Sequence, residues 1–156
     1  MLTPALAQAG PDSGSGAAIS SSDLGNVKTL LARGDAAAAA GNLVEARRIY
    51  DEARSISKTA QVLYRDLSGA FRGLDARIPR EMDDKARQMT EAFVDANLRL
   101  AALFRRQNQP GVAIPLLVEV VKIMTPTTET GRKAYQQLLE LGFATTPYTA
   151  PSANSN

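Results

Sequence analysis

From about Arg80 to Gln107 the chain runs without a glycine or a proline. Within it Ala86, Met89, Phe93, Ala96, Leu100 and Leu103 recur at alternating steps of three and four. That period lays one apolar face along about six turns of α-helix. A strand, which alternates every second residue, cannot use it. The stretch therefore commits the chain to helix–helix packing, and no other segment reads convincingly as a strand.

Punctuation divides the chain into about six helices. The first runs from about Asp23 to Ala40, behind a capping cluster of Ser20 to Asp23, and stops at Gly41-Asn42. The second runs from about Leu43 to Ser57 with Val44, Ile49, Ala53 and Ile56 as its stripe. The third runs from about Thr59 to Arg72, with Val62, Leu63, Leu67, Ala70 and Phe71 apolar. Gly73 and the loop Leu74 to Pro79 end it, because the residue before a proline is pushed away from helix. The long fourth helix follows. A fifth, about Gly111 to Met124, is apolar nearly all round and is expected to be central and covered. A sixth, about Thr128 to Leu141, carries Ala134, Leu138, Leu139 and Leu141 and stops at Gly142. The expectation is an all-α domain over residues 23–143. Before it, residues 1–22 are rich in Gly, Pro, Ser and Ala and read as disordered. After it, residues 144–156 read as a flexible tail.

What is missing narrows the chemistry. The chain has no His and no Cys, which removes imidazole acid–base catalysis, cysteine nucleophiles, disulfides and thiolate metal sites. A net charge of +2 does not announce nucleic acid. Arg47-Arg48 and Arg105-Arg106 could touch RNA, but the aromatic platform that single strands need is lacking. No apolar run approaches the roughly 20 residues that span a bilayer. Glu81, Asp83 and Asp84 form the one acidic cluster, and an acid-rich helix start accounts for it without a metal. No cofactor is expected.

The chain also repeats itself. When it is slid along itself so that Leu31 falls on Leu98, Gly34 falls on Ala101, Ala37 on Phe104, Gly41 on Asn108, Ala46 on Ala113, Tyr50 on Leu117, Ala53 on Val120 and Ile56 on Ile123. The shift is close to twice the tetratricopeptide period of about 34 residues. Half of a middle copy is present: Tyr64, Leu67, Ser68 and Phe71 stand one such period after Leu30, Arg33, Gly34 and Ala37.

In the run Gly34…Ala37…Gly41-Asn42…Ala46…Tyr50…Ala53 the chain resembles the tetratricopeptide repeat family. The copy ending at Pro126 is similar, while the middle copy departs from the pattern at Arg80, Asp84 and Arg87. The resemblance implies an antiparallel helix-hairpin array of about three units, the middle one distorted. It also implies a non-catalytic, protein- or peptide-binding scaffold whose groove is lined by the first helix of each pair. Carried over residue by residue, the groove positions are Lys28, Asp35, Arg65, Arg72, Arg105 and Arg106. Guanidinium groups pair bidentately with carboxylates, so a carboxylate, an acidic peptide or a chain terminus is the expected ligand, the alternative being solvated surface arginines paired with Asp66, Asp75 or Glu119. The alternative is a structural subunit that covers its apolar faces by self-association; an enzyme is the remote third reading.

The segment Leu74 to Asp83 is similar to one in small exported repeat proteins of cyanobacteria. Ala5-Leu6-Ala7 and Ala7-Gln8-Ala9 match the small-x-small pattern at the end of a secretory signal. Together they imply a periplasmic or otherwise exported location (the thylakoid lumen for a cyanobacterial protein), with the cytoplasm as the alternative.

Overall fold

The computed structural model of the chain describes residues 21–151. Among them are five α-helices and no strand: α1 Ser21–Ala39, α2 Leu43–Phe71, α3 Arg77–Arg106, α4 Pro110–Met124 and α5 Glu129–Glu140. The signal-like residues 1–20 and the last five residues, 152–156, lie outside the described part. Ser21 and Ser22, assigned from sequence to the leading segment, are the first two residues of α1.

α2 and α3 form a long antiparallel hairpin, the most extensive helix pair in the molecule. α1 packs on the first half of α2, α4 on the second half of α3, and α5 on α4. Where these meet, Ile49, Tyr50 and Ala53 of α2 join Ala96, Leu100, Leu103 and Phe104 of α3, Val27 and Leu31 of α1, Leu117 and Val120 of α4, and Leu138 of α5. The stripe anticipated on α3 is this core's spine: all but Met89, which is half-buried, are buried.

Four helix ends share one device. Gly41, Gly73, Asn108 and Gly142 take positive φ values of 79°, 84°, 58° and 74°. At three of these ends the next N–H turns back to the last helical turn: Asn42 to the Ala37 carbonyl at 2.9 Å, Gln109 to Phe104 at 2.8 Å, and Phe143 to Leu138 at 3.0 Å. This is the left-handed stop that spends otherwise orphaned carbonyls. The repeat in the sequence is thus also a repeat in the backbone, carrying Ala37-Asn42 onto Phe104-Gln109.

The helix boundaries differ from expectation in three places. First, no break divides Ser57 from Thr59, so the second and third expected helices are one helix, α2. Nothing there removes a backbone donor, and both hydroxyls turn inward on the helix: Ser57 Oγ donates to the Ala53 carbonyl at 2.7 Å and Thr59 Oγ1 to Ser55 at 3.0 Å. The corresponding junction after α4 carries Pro126, and there the chain does break. Second, α3 starts at Arg77, with Ile78 and Pro79 inside its first turn. First-turn N–H groups have no helical partner, so proline costs nothing there. Asp75 Oδ1 accepts from the Arg77 N–H at 3.0 Å and takes up one of those donors. Third, α4 is not central. Ala113, Leu117 and Val120 are buried, but Val112 is 45% exposed and the other apolar side chains are half-buried. It lies at a flank between α3 and α5, so its apolar surroundings are needed on two sides only.

Of the C-terminal segment, Ala144 to Pro151 is described. Its start is tied down where Tyr135 Oη donates to the Thr146 carbonyl at 2.5 Å.

Candidate partner-binding surface

α2 is longer than its neighbours α1 and α4, and its two edges differ in chemistry. One edge is an apolar seam with the spacing Ile49, Ala53, Ile56, Ala60, Leu63, Leu67, Ala70, continued into the turn by Leu74. Steps of four and three keep these residues on one side of a helix. The seam is buried at first: Ile49 is 2% exposed, Ala53 0% and Ala60 2%. It then opens, with Leu63 54%, Leu67 44% and Leu74 79% exposed. Gly34 of α1 meets Tyr50 of α2, so α1 lies along the covered half of the seam.

The other edge is polar: Arg47, Asp51, Arg54, Lys58, Gln61, Arg65, Ser68 and Arg72 follow the same alternation. Its near half is engaged with α3 and α4. Arg54 Nε donates to Asn97 Oδ1 at 2.5 Å and Arg54 Nη2 to Glu119 Oε2 at 2.8 Å, while Asn97 Nδ2 donates to the same Glu119 oxygen at 3.0 Å. Lys58 Nζ stands 3.8 Å from Glu119 Oε1. Burial alone would raise the Glu119 pKa. The bonds from Asn97 and Arg54 and the charges of Arg54 and Lys58 outweigh it and hold the carboxyl below its ordinary value. Arg54 and Lys58 also sit over the Phe93 ring, 4.9 and 5.5 Å from its centre. Asn97 is fully buried and among the described residues no buried side-chain donor or acceptor lacks a partner, so this cluster fixes α4 against the central hairpin.

The groove residues expected from sequence do not gather in one place. Asp35 accepts from Tyr50 Oη at 2.6 Å and from Arg99 Nε and Nη2 at 2.9 and 3.2 Å. Burial opposes its charge, but those bonds and the Arg99 charge keep its pKa below the ordinary range; burial and Asp35 together push the Tyr50 phenol up. Arg106 shares an open cleft of about 250 Å³ with Asp35 and donates to the Ala38 carbonyl at 2.9 Å, at the end of α1. Arg105 faces the other way and binds Gln137 and Glu140 of α5 at 3.1 and 3.2 Å. Lys28 is exposed on α1. Arg65 lines a separate cleft of about 310 Å³ with Asp83, Ala86, Arg87 and Thr90, and Arg72 caps α2. Asp35, Arg105 and Arg106 therefore spend bonds holding helices together. Among the described residues Arg65 and Arg72 make no ion pair and no side-chain hydrogen bond.

Sequence reasoning missed Arg54, Asn97 and Arg99, and named Glu119 only as a partner for the groove arginines, not for Arg54. Their partners are 22 to 65 residues away in the chain. The one signal that could have found Arg99 is its spacing of seven from Arg106, which keeps the two on one helix face. Among the described residues no cluster of three or more His, Cys, Asp or Glu could hold a metal, and no helix is long and apolar enough to cross a membrane.

No protein-family model matches the chain, no curated protein matches it, and no solved structure matches it.

Proposed function

We propose that this protein is a non-catalytic adaptor of tetratricopeptide-like architecture that holds a segment of another protein on the open half of the α2 seam. The observation that carries the reading is the seam itself. A row of apolar residues buries Ala53 and Ala60 and then leaves Leu63, Leu67 and Leu74 about half or more exposed. Contiguous exposed leucines on a polar protein mark a contact surface. The neighbouring α1 shows what chemistry suits it: an amphipathic helix lying antiparallel to α2. The occupant is such a helix from a partner. The left-handed stops at Gly41, Asn108 and Gly142 and the internal repeat that sets Gly41 on Asn108 support the tetratricopeptide likeness. The fusion of expected helices into α2 is where the chain departs from it. The small-x-small pattern at Ala5 to Ala9 supports work in an exported compartment.

The test uses the full chain and a Leu63→Glu/Leu67→Glu variant as baits against the soluble and exported fractions of the source cells. A discrete protein retained by the first and lost by the second, with equal helicity by circular dichroism, supports the reading. Retention by both removes the seam. A concentration-dependent mass for the purified chain that collapses to monomer in the variant replaces the adaptor with a self-associating structural subunit.

A further inference from the structure

We infer that α5 is an exchangeable arm, which docks on α4 of a second copy of this chain while the second copy's α5 docks on the first. The exchange is independent of what the seam on α2 holds. It starts at the junction between α4 and α5, where Thr125 has φ 62° and ψ 151°. That backbone region is almost confined to glycine, and a β-branched residue suits it worst. The next residue makes the strain specific. Thr125 precedes Pro126, and a residue before proline is held to extended backbone with φ about −120° and ψ about 120–160°. Thr125 has the ψ of that state and not its φ. Rotation by about 180° around one bond, N–Cα of Thr125, relaxes it. The same rotation carries α5 off α4.

The closed junction is held locally. The Thr125 carbonyl lies where a Cβ on Gly131 would be, so the turn presses on the first turn of α5 and only glycine fits there. Thr128 Oγ1 caps α5 by accepting from the Gly131 N–H at 3.1 Å, and donates back across the hinge to the Met124 carbonyl at 2.9 Å. Opening gives up that last bond and gains an unstrained Thr125.

The vacated seat decides what fills it. Among the helices, α5 packs extensively on α4 alone. It sinks Ala134 and Leu138, 0% and 4% exposed, into the core. Arg105 of α3 binds its Gln137 and Glu140 at 3.1 and 3.2 Å. Without α5, α4 would turn an apolar side to water. A helix with Ala134, Gln137, Leu138 and Glu140 in this order meets every one of those contacts, and a second copy brings it. A short hinge under strain invites such an exchange. Association costs translational freedom, so the closed chain prevails when dilute and the exchanged pair when concentrated.

The experiment mixes two full-length variants, Arg105→Glu and Glu140→Arg. Each alone sets like charges between α3 and α5. In an exchanged pair of one with the other, both contacts carry opposite charges. The chains are concentrated, warmed to just below their thermal midpoint, cooled and weighed by native mass spectrometry, with circular dichroism confirming that both remain helical. The expected result is a dimer in which mixed pairs exceed the half that random pairing gives. In the otherwise unaltered chain, Thr125→Gly removes the strain and is expected to lower the dimer fraction about tenfold at equal concentration. Asn108→Gly relaxes the other positive φ, away from the hinge, and leaves the fraction unchanged. Leu63→Glu/Leu67→Glu also leaves it unchanged. Absence of any dimer, random pairing of the two variants, a dimer indifferent to Thr125→Gly, or a dimer lost in Leu63→Glu/Leu67→Glu each overturns the inference.

Discussion

The ring of Tyr50 fills the space that a side chain on Gly34 would occupy. A Cβ built on Gly34 would overlap the ring edge, and the ring cannot swing clear, because Tyr50 is 3% exposed and its hydroxyl is bound to Asp35. This contact sets how closely α1 approaches α2. Gly34→Ala gains about 1 kcal/mol of helix propensity and loses about 1–3 kcal/mol to overpacking. The overlap is with a fixed ring, so a net loss of up to about 2 kcal/mol is expected in urea unfolding. Gly69→Ala, where nothing lies within 4 Å, is expected to stabilise by about 0.5–1 kcal/mol. Equal effects at the two sites would remove the packing explanation.

Acid sensitivity follows from Asp35 and Glu119. Both carboxyls are held below their ordinary values of 3.8 and 4.5. A group whose pKa is depressed by folding contributes stability above its unfolded pKa and loses it as pH falls through the folded one. The thermal midpoint is therefore expected to be flat from pH 7 to about 5 and to fall below pH 4. In Asp35→Asn/Glu119→Gln the midpoint is lower at pH 7 and the acid slope shallower. An unchanged slope would place the acid-labile groups elsewhere.

Asn97 is fully buried and bonds both Arg54 and Glu119. Asn97→Ala leaves part of that charged pair without its neighbour, and the expected cost is about 1–3 kcal/mol. The variant should also raise amide exchange in α4 before the rest, because this cluster is the polar link from α4 to the central hairpin. Uniform exchange along the chain would contradict that role.

How far the sequence foretold this can be followed residue by residue. The stripe from Ala86 to Leu103 was legible because one long period without Gly or Pro admits one structure. Gly41, Gly73 and Gly142 were legible as stops because each is a glycine just past the last periodic residue of a helix. The continuity of α2 was not, because Ser57 and Thr59 look like a junction until their hydroxyls are seen bonded to carbonyls within the helix. The groove residues scattered because their faces had been taken from a regular hairpin register, and the fused α2 does not keep it. Arg105 and Arg106 are adjacent, so one turns to α5 and the other to α1.

Two substitutions on the same seam should behave in opposite ways. Ile49→Ala, in the covered half at 2% exposure, is expected to cost about 2–5 kcal/mol. Leu67→Glu, in the open half, is expected to shift stability by no more than about 0.5 kcal/mol. Chemical denaturation of both variants measures the contrast. A large loss at Leu67 would mean that its exposed face is covered in the folded chain.

The most direct measurement of the adaptor reading is site-specific photocrosslinking in the source cells. A photoreactive residue is placed at Leu63, at Leu67 and, as a control, at the exposed Ala36 of α1. The account predicts one discrete adduct with a different protein from Leu63 and Leu67 and none from Ala36. No adduct from the two seam positions, or adducts only with the same chain or a second copy of it, would contradict it.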